Sequence, residues 1–286
     1  MIVANTNLAS RLKTTFRAKI DRFLSTFTLV SRIPLKTKFA VDYTRTDFWL
    51  PLIGPFASLA AIVGLAIGAS VFRDGMLASI SSIFAQYAAF NLFHFDGLLD
   101  SADATLPYTT REKRMEILKD PRIGSFAFFA GFLLLLTRIV ALARLCPEGR
   151  LDFAIVAALL TAPAAGRAAA ALVPCMVKPA RETGLGALMK GFSLHRVALG
   201  LAVAIIPLPL WIVVSKTFSI MPQAVLIATL CAAPAAAVIA GLLVSAVYKK
   251  TLGGFTGDAL GAAVEIGELI AILIVSALLS PTGFQL

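Results

Sequence analysis

Charge is scarce in this sequence. Only 15% of its 286 residues are charged, where soluble domains run near a quarter. Acidic residues number just 16. No polar stretch exceeds roughly 45 residues, short of the usual size of a domain, which excludes a separate soluble domain. Cysteine is equally thin. Cys146, Cys175 and Cys231 stand alone, without metal-ligand spacing. That excludes a disulfide framework and leaves buried thiols. The first residues, MIVANTNLASRLKTTFRAKIDRFLSTF, lack the apolar core and small-residue cleavage site of a secretory signal. No internal repeat and no low-complexity tract is visible.

Apolar residues fill the space that charge leaves. They make up 58% of the chain, and mean hydropathy is +0.86. They fall in blocks of about 20, the length that crosses a bilayer as a helix. The expected fold is therefore all-α: one polytopic membrane bundle over 1–286. Seven spans are expected, at 48–72, 76–95, 124–145, 151–173, 197–215, 222–247 and 262–280. Segment 8–32 is too charged to cross. Its apolar residues, Leu8 to Phe27, recur at helical spacing between basic ones, as in a helix lying on an anionic membrane surface.

The net charge of +10 does not point to nucleic acid, because the basic residues flank membrane spans. Positive charge sets the orientation. Arg11 to Arg45 precede the first span, and Arg111 to Arg122, Lys178 to Arg196 and Lys249–Lys250 fill alternate loops. The opposite loops hold chiefly Arg73, Arg144, Arg150 and Lys216. The expectation is a cytoplasmic N-terminus, cytoplasmic segments at 94–123 and 248–268, and an outer C-terminus at Leu286. Two arginines fall within spans. Arg138 is expected to snorkel outward. Arg167, amid Ala and Gly, either faces the site or snorkels.

The scarce acids are clustered. Asp96, Asp100 and Asp103 follow the second apolar block in NLFHFDGLLDSADATLPYT. On a helix they fall within about 60° of one another. Like charges so placed repel, and a divalent cation between them removes the repulsion. Oxygen-only ligands favour Mg²⁺ or Mn²⁺ over zinc. His94 would point about 160° from Asp96 on an unbroken helix, and joins the site only if the chain bends near Gly97. The structural alternative is a histidine that merely hydrogen-bonds.

A second cluster lies in KKTLGGFTGDALGAAVEIGELIAIL, 249–273. Asp258, Glu265 and Glu268 share a helical face. Gly253, Gly254 and Gly257 precede them and leave backbone N–H groups open to a phosphate. Glycine is also common where membrane helices touch, but carboxylates within an apolar span mark a functional site. Arg122, before the third span in DPRIGS, is the best-placed phosphate clamp of the 94–123 loop. Carboxylates, a glycine turn and arginines on one face imply transfer of a phosphate-containing group.

These residues also resemble a known family. FHFDGLLDSADA with REKRMEILKDPRIGSFAFFAG, then SRIPL, GR at Gly166, ARETGLG at Ala180 and GGFTGDALGAAVEIGE at Gly253, are similar to the cobalamin synthase (adenosylcobinamide-GDP ribazoletransferase) family, in its order over nearly the whole chain. Thr105 and Leu98–Leu99 depart from its usual pattern without touching the carboxylates. The resemblance implies joining of adenosylcobinamide-GDP to α-ribazole, or its 5′-phosphate, with release of GMP. It implies Mg²⁺, a bacterial inner membrane with the site facing the cytoplasm, and association with other corrinoid-pathway enzymes. It also implies roles. Asp96, Asp100 and Asp103 would hold Mg²⁺ against the pyrophosphate, while Asp258, Glu265 and Glu268 complete the shell or orient the ribazole hydroxyl. Arg122 and the Gly253–Gly257 turn would steady phosphates, and His94 or a carboxylate would act as base.

Three rivals fit less well. A membrane prenyltransferase reads N-D-x-x-D-x-x-x-D, whereas the spacing here is D-x-x-x-D-x-x-D. A CDP-alcohol phosphotransferase would carry D-G-x-x-A-R. A transporter would move its substrate without turnover.

Overall fold

A computed structural model describes residues 2–151, 153–189, 191–207 and 223–279. Regular structure among them is helical: α1 (Ile2–Val30), α2 (Thr46–Leu52), α3 (Gly54–Phe72), α4 (Gly75–Gln86), a π-turn (Tyr87–Asn91), α5 (Leu92–Thr105), α6 (Arg111–Ile117) and α7 (Ser125–Leu145). There follow α8 (Phe153–Met176), α9 (Leu185–Leu188), α10 (Leu194–Ala204), α11 (Gln223–Thr251) and α12 (Gly257–Leu279). Six helical stretches are long and apolar enough to cross a membrane: Thr46–Phe72, Gly75–Thr105, Ser125–Leu145, Ala154–Met176, Leu230–Thr251 and Gly257–Leu278. The chain is a multi-pass membrane protein.

The ends of these helices sort onto two faces. On one, Asp103 near the end of α5 bonds the start of α7, and Asp47 in α2 bonds Ser193 N at the start of α10. On the same face a parallel bridge, Pro179 to Phe255, joins the chain after α8 to the turn before α12. On the other, the start of α4 meets the end of α7, where a Cβ on Gly75 would lie 2.2 Å from the Cys146 carbonyl oxygen. Both α8 and α11 end on the first face. Gln223, where α11 begins, therefore lies toward the other face.

The expected spans change at their ends. The second does not stop at 95 but runs helically to Thr105, so the aspartates ride on a helix rather than in a loop. The last begins at Gly257 rather than 262, because Asp258 and its glycines open that helix. Of the expected fifth span, α10 covers Leu194–Ala204. Positions 208–215 lie outside the described residues, as do Lys190, Lys216 and Leu286.

The centre of the bundle is α8, whose apolar window is 89% buried, the most of the six. Alanine explains that: Ala157, Ala164, Ala165, Ala168 and Ala171 are fully buried, and small side chains let neighbouring backbones approach. A Cβ on Gly54 would come within 2.5 Å of Ala164 Cα, and one on Gly166 within 2.4 Å of the Val264 carbonyl oxygen. The C-terminal half of α1 docks through Phe23 and Phe27 against Trp49, Phe56 and Phe90. That fits an amphipathic helix with one aromatic stripe.

Candidate active site

Helices α5 and α12 cross at two glycines. A Cβ on Gly97 would lie 3.0 Å from the Asp258 carbonyl oxygen, and one on Gly261 would lie 2.7 Å from that of His94. No larger residue permits this approach, and it brings acids from the two sequence clusters together. Asp100 senses the charges of Asp96, Asp258 and Asp103, and Asp258 senses Asp96. Among the described residues neither Asp96 nor Asp100 has a salt-bridge partner. Asp258 accepts from the Thr256 hydroxyl at 3.0 Å and feels Arg181.

Asp103 has another occupation. Its oxygens accept from Gly124 N at 2.6 Å and Ala127 N at 2.9 Å. Gly124 has no side chain with which to cap α7, so Asp103 supplies the missing acceptor from α5. Arg114 does the converse. It is buried, and donates to the carbonyls of Ala104, Thr105 and Pro107 at the end of α5, where a cation complements the helix dipole.

Glu265 and Glu268 lie about two and three turns further into the bundle than Asp258. Both are completely buried and face arginines. Glu268 accepts from Arg138 at 2.6 Å, Arg167 at 2.9 Å, Gln86 at 2.8 Å and Asn91 at 3.1 Å. Glu265 accepts from Tyr87 and, at 3.0 Å, from Asn91. Arg138 Nη1 stands 3.6 Å from Glu265. Arg138 does not snorkel, then. Its guanidinium is inside because two glutamates and Gln86 Oε1, at 2.6 Å, receive it. Arg167 faces the same knot and also meets Asn91 Oδ1 at 3.1 Å. Two glutamates and two arginines balance, as buried charge requires.

The π-turn makes this network possible. Leu92 N reaches back five residues to Tyr87 O, so Gln86 and Asn91 share a face and approach to 3.5 Å. In a regular helix five residues span about 500°, which points the two side chains roughly 140° apart. Sequence reasoning missed Gln86, Tyr87 and Asn91. The available signal was polar side chains inside an apolar block, but the π-turn that aligns them has no pattern of its own.

The remaining expected residues divide. His94 is buried with its Nε2 lacking a hydrogen-bond partner among the described residues. It lines a small gap of about 20 Å³ together with Thr46, Met189 and Gly257. No bend at Gly97 brings it to the carboxylates, since α5 continues through that residue. Gly253 has φ +73°, which favours glycine. Gly254 is forced by contact, because a Cβ there would lie 2.7 Å from the Lys178 carbonyl oxygen. The Arg111 guanidinium lies over Gly253, 3.2 Å from where a Cβ would stand. Arg122 is exposed and grips Asp120 at 2.6 Å. Those hydrogen bonds hold the Asp120 carboxyl down to about 2.

A family model described as Cobalamin-5-phosphate synthase matches residues 22–276. The chain belongs to the cobalamin-5-phosphate synthase family. Within it, an adenosylcobinamide-GDP ribazoletransferase of Citrobacter koseri is 34% identical over 260 residues, which is 88% of this chain and 97% of that one. A protein of the same name from Fervidobacterium nodosum is 28% identical over 260 residues, 90% of this chain and 97% of that one. No solved structure matches. In this cobalamin-5-phosphate synthase family member, the matched region holds both sequence clusters and both buried arginines.

Proposed function

We propose that this chain is an adenosylcobinamide-GDP ribazoletransferase that acts at the α5–α12 crossing. The acceptor is α-ribazole or its 5′-phosphate. The single observation that carries this reading is the family match over both acid clusters, which the fold joins through Asp96, Asp100 and Asp258. In the transfer, the ribazole hydroxyl oxygen forms a bond to the phosphorus borne by the cobinamide. The bond from that phosphorus to the bridging oxygen breaks, GMP leaves with the electron pair, and the hydroxyl proton goes to a carboxylate or to solvent.

The donor set fits Mg²⁺. Asp96, Asp100 and Asp258 offer oxygen only, with mutual repulsion that a cation would relieve. No three acidic or histidine side chains among the described residues stand close enough to hold an ion by themselves. Mg²⁺ would then be held by one or two of these carboxylates and completed by substrate phosphates, as is ordinary for it. When bound it supplies charge stabilisation at the pyrophosphate. Arg111 above the Gly253 turn and Arg181, whose charge reaches Asp258, meet the same phosphates, and Arg122 joins them if it exchanges Asp120 for phosphate. Asp103 positions α7, and the Glu265–Glu268 knot fixes α12 against α7, α8 and the π-turn. His94, sealed between helices, holds its place in packing.

Basic residues crowd the site face, among them Arg111, Arg181, Arg196 and Lys249, while Arg73, Arg144 and Arg150 stand at the other. This reading therefore puts the site in the cytoplasm and the chain in the inner membrane. The test is GMP release by purified protein given adenosylcobinamide-GDP, α-ribazole and Mg²⁺. No release over a range of Mg²⁺ concentrations would sink the proposal.

A further inference from the structure

A polar pocket opens on the same face as the α5–α12 crossing. It lies between the 41–47 stretch and the start of α10, has a volume of about 450 Å³, and is lined by Tyr43, Arg45, Asp47, Leu188, Phe192 and Arg196 among others. That is the size range of small-molecule sites.

Its lining carries two aspartates, Asp42 and Asp47, and two arginines, Arg45 and Arg196, which do not pair one to one. Asp42 is held by Arg22 at 2.8 Å, and Asp47, fully buried, by Arg196 at 2.7 Å and Ser193 N at 2.8 Å. Arg45 is left, with no ion pair or hydrogen bond from its side chain among the described residues. Its backbone is also held at φ 67°, ψ 19°, a left-handed conformation that side chains resist and that persists where the surroundings impose it. A strained, exposed residue thus presents a cation that no protein group among the described residues holds. Tyr43 and Phe192 add aromatic surface, and the bonds from Asp47 to Ser193 and Arg196 tie the pocket wall to α10.

The pocket is one layer from the acids. Thr46 and Met189 adjoin Asp47 and Leu188 in sequence, and both line the small gap that also holds His94 and Gly257. Those two residues in turn sit two and one positions from Asp96 and Asp258.

We infer that this pocket binds a nucleoside phosphate, with Arg45 on the phosphate and the aromatic walls against the ring. The inference rests on the transferase reading, which supplies two such groups: the guanosine phosphate that leaves, and the ribazole phosphate that accepts. Arg45 is a specificity residue by this account, since a charge-assisted bond discriminates phosphate from hydroxyl.

Arg45→Gly separates charge from strain, because glycine adopts the same backbone freely. With full-length protein in detergent, the expected result is a rise of about tenfold in KM for one phosphate substrate, the effect of one lost charged contact. The fall in kcat should be much smaller. Arg45→Glu should give a larger rise. If the leaving nucleotide is the occupant, KM for adenosylcobinamide-GDP rises and product inhibition by GMP weakens in parallel. If the acceptor is, KM rises for ribazole 5′-phosphate and not for ribazole. Unchanged KM values and unchanged GMP inhibition in both variants would overturn the inference while leaving the transferase reading intact. If the parent protein releases no GMP, the transferase reading fails. Equilibrium dialysis of GMP and of ribazole 5′-phosphate against parent and Arg45→Glu then judges the pocket alone.

Discussion

At the scale of the residue, acids that look alike in sequence do different work. Asp100→Asn and Asp258→Asn should each lower turnover by about 10²-fold or more, as loss of an essential charge does, with little change in thermal unfolding. Glu268→Gln should show the reverse order of effects. It strips a charge from two buried arginines, and breaking such a pair costs about 3–5 kcal/mol. The measurement is the fraction of folded protein after mild heating in detergent. If Glu268→Gln stayed fully folded but inactive, the glutamate would belong with the proposed metal ligands. Asp103→Ala should cost about 1 kcal/mol, the usual worth of a helix cap. The sequence made both clusters visible through the rarity of acids. It did not make visible that Glu268 meets Arg138, because a partner 130 positions away is set by which helices adjoin.

Elements tell a similar story. Spans were legible from apolar runs, and so was the aromatic stripe of α1. Their ends were misplaced wherever a charged residue stayed helical, since the hydropathy of Asp96–Asp103 reads as a loop while Gly97 packing on α12 keeps it folded. The π-turn was not legible at all. It adds one residue to a turn, so deleting Ala88 should return the segment to α-helix with Gln86 and Asn91 four apart, about 40° from alignment, and keep α5 in register with α4. Much of the turnover should survive, because Gln86, Asn91 and the aspartates then keep their faces. Ala88→Leu, at an exposed position, should be nearly silent. A folded deletion variant that lost all turnover would show that the π-turn does more than absorb an extra residue.

Across the whole molecule, the two faces differ in kind. The site face is cross-tied by Asp103, Asp47 and the Pro179–Phe255 bridge, whereas on the far face the described turn between α3 and α4 is short. In a single-cysteine background, an impermeant reagent added to intact cells should label a cysteine at position 73 and spare one at 111. The opposite pattern would invert the proposed orientation. Membrane class and the alternation of basic loops could be read from composition, because a bilayer restricts the chain to few arrangements. The arrangement of α8 at the centre could not, because every apolar helix carries the same hydropathy whether it faces lipid or alanine.

The neutral knot of two arginines and two glutamates has a consequence for how the chain is made. Arg138 and Arg167 emerge from the ribosome long before Glu265 and Glu268 do. Each arginine costs about 2.5–3.5 kcal/mol at the middle of an inserted helix, and both wait for the last segment to be relieved of it. Synthesis is therefore checked at its end: until α12 arrives, the nascent bundle keeps two uncompensated cations within the bilayer. A chain stopped after Thr256 should be short-lived in a pulse-chase experiment, and supplying residues 257–286 as a separate segment should lengthen its life.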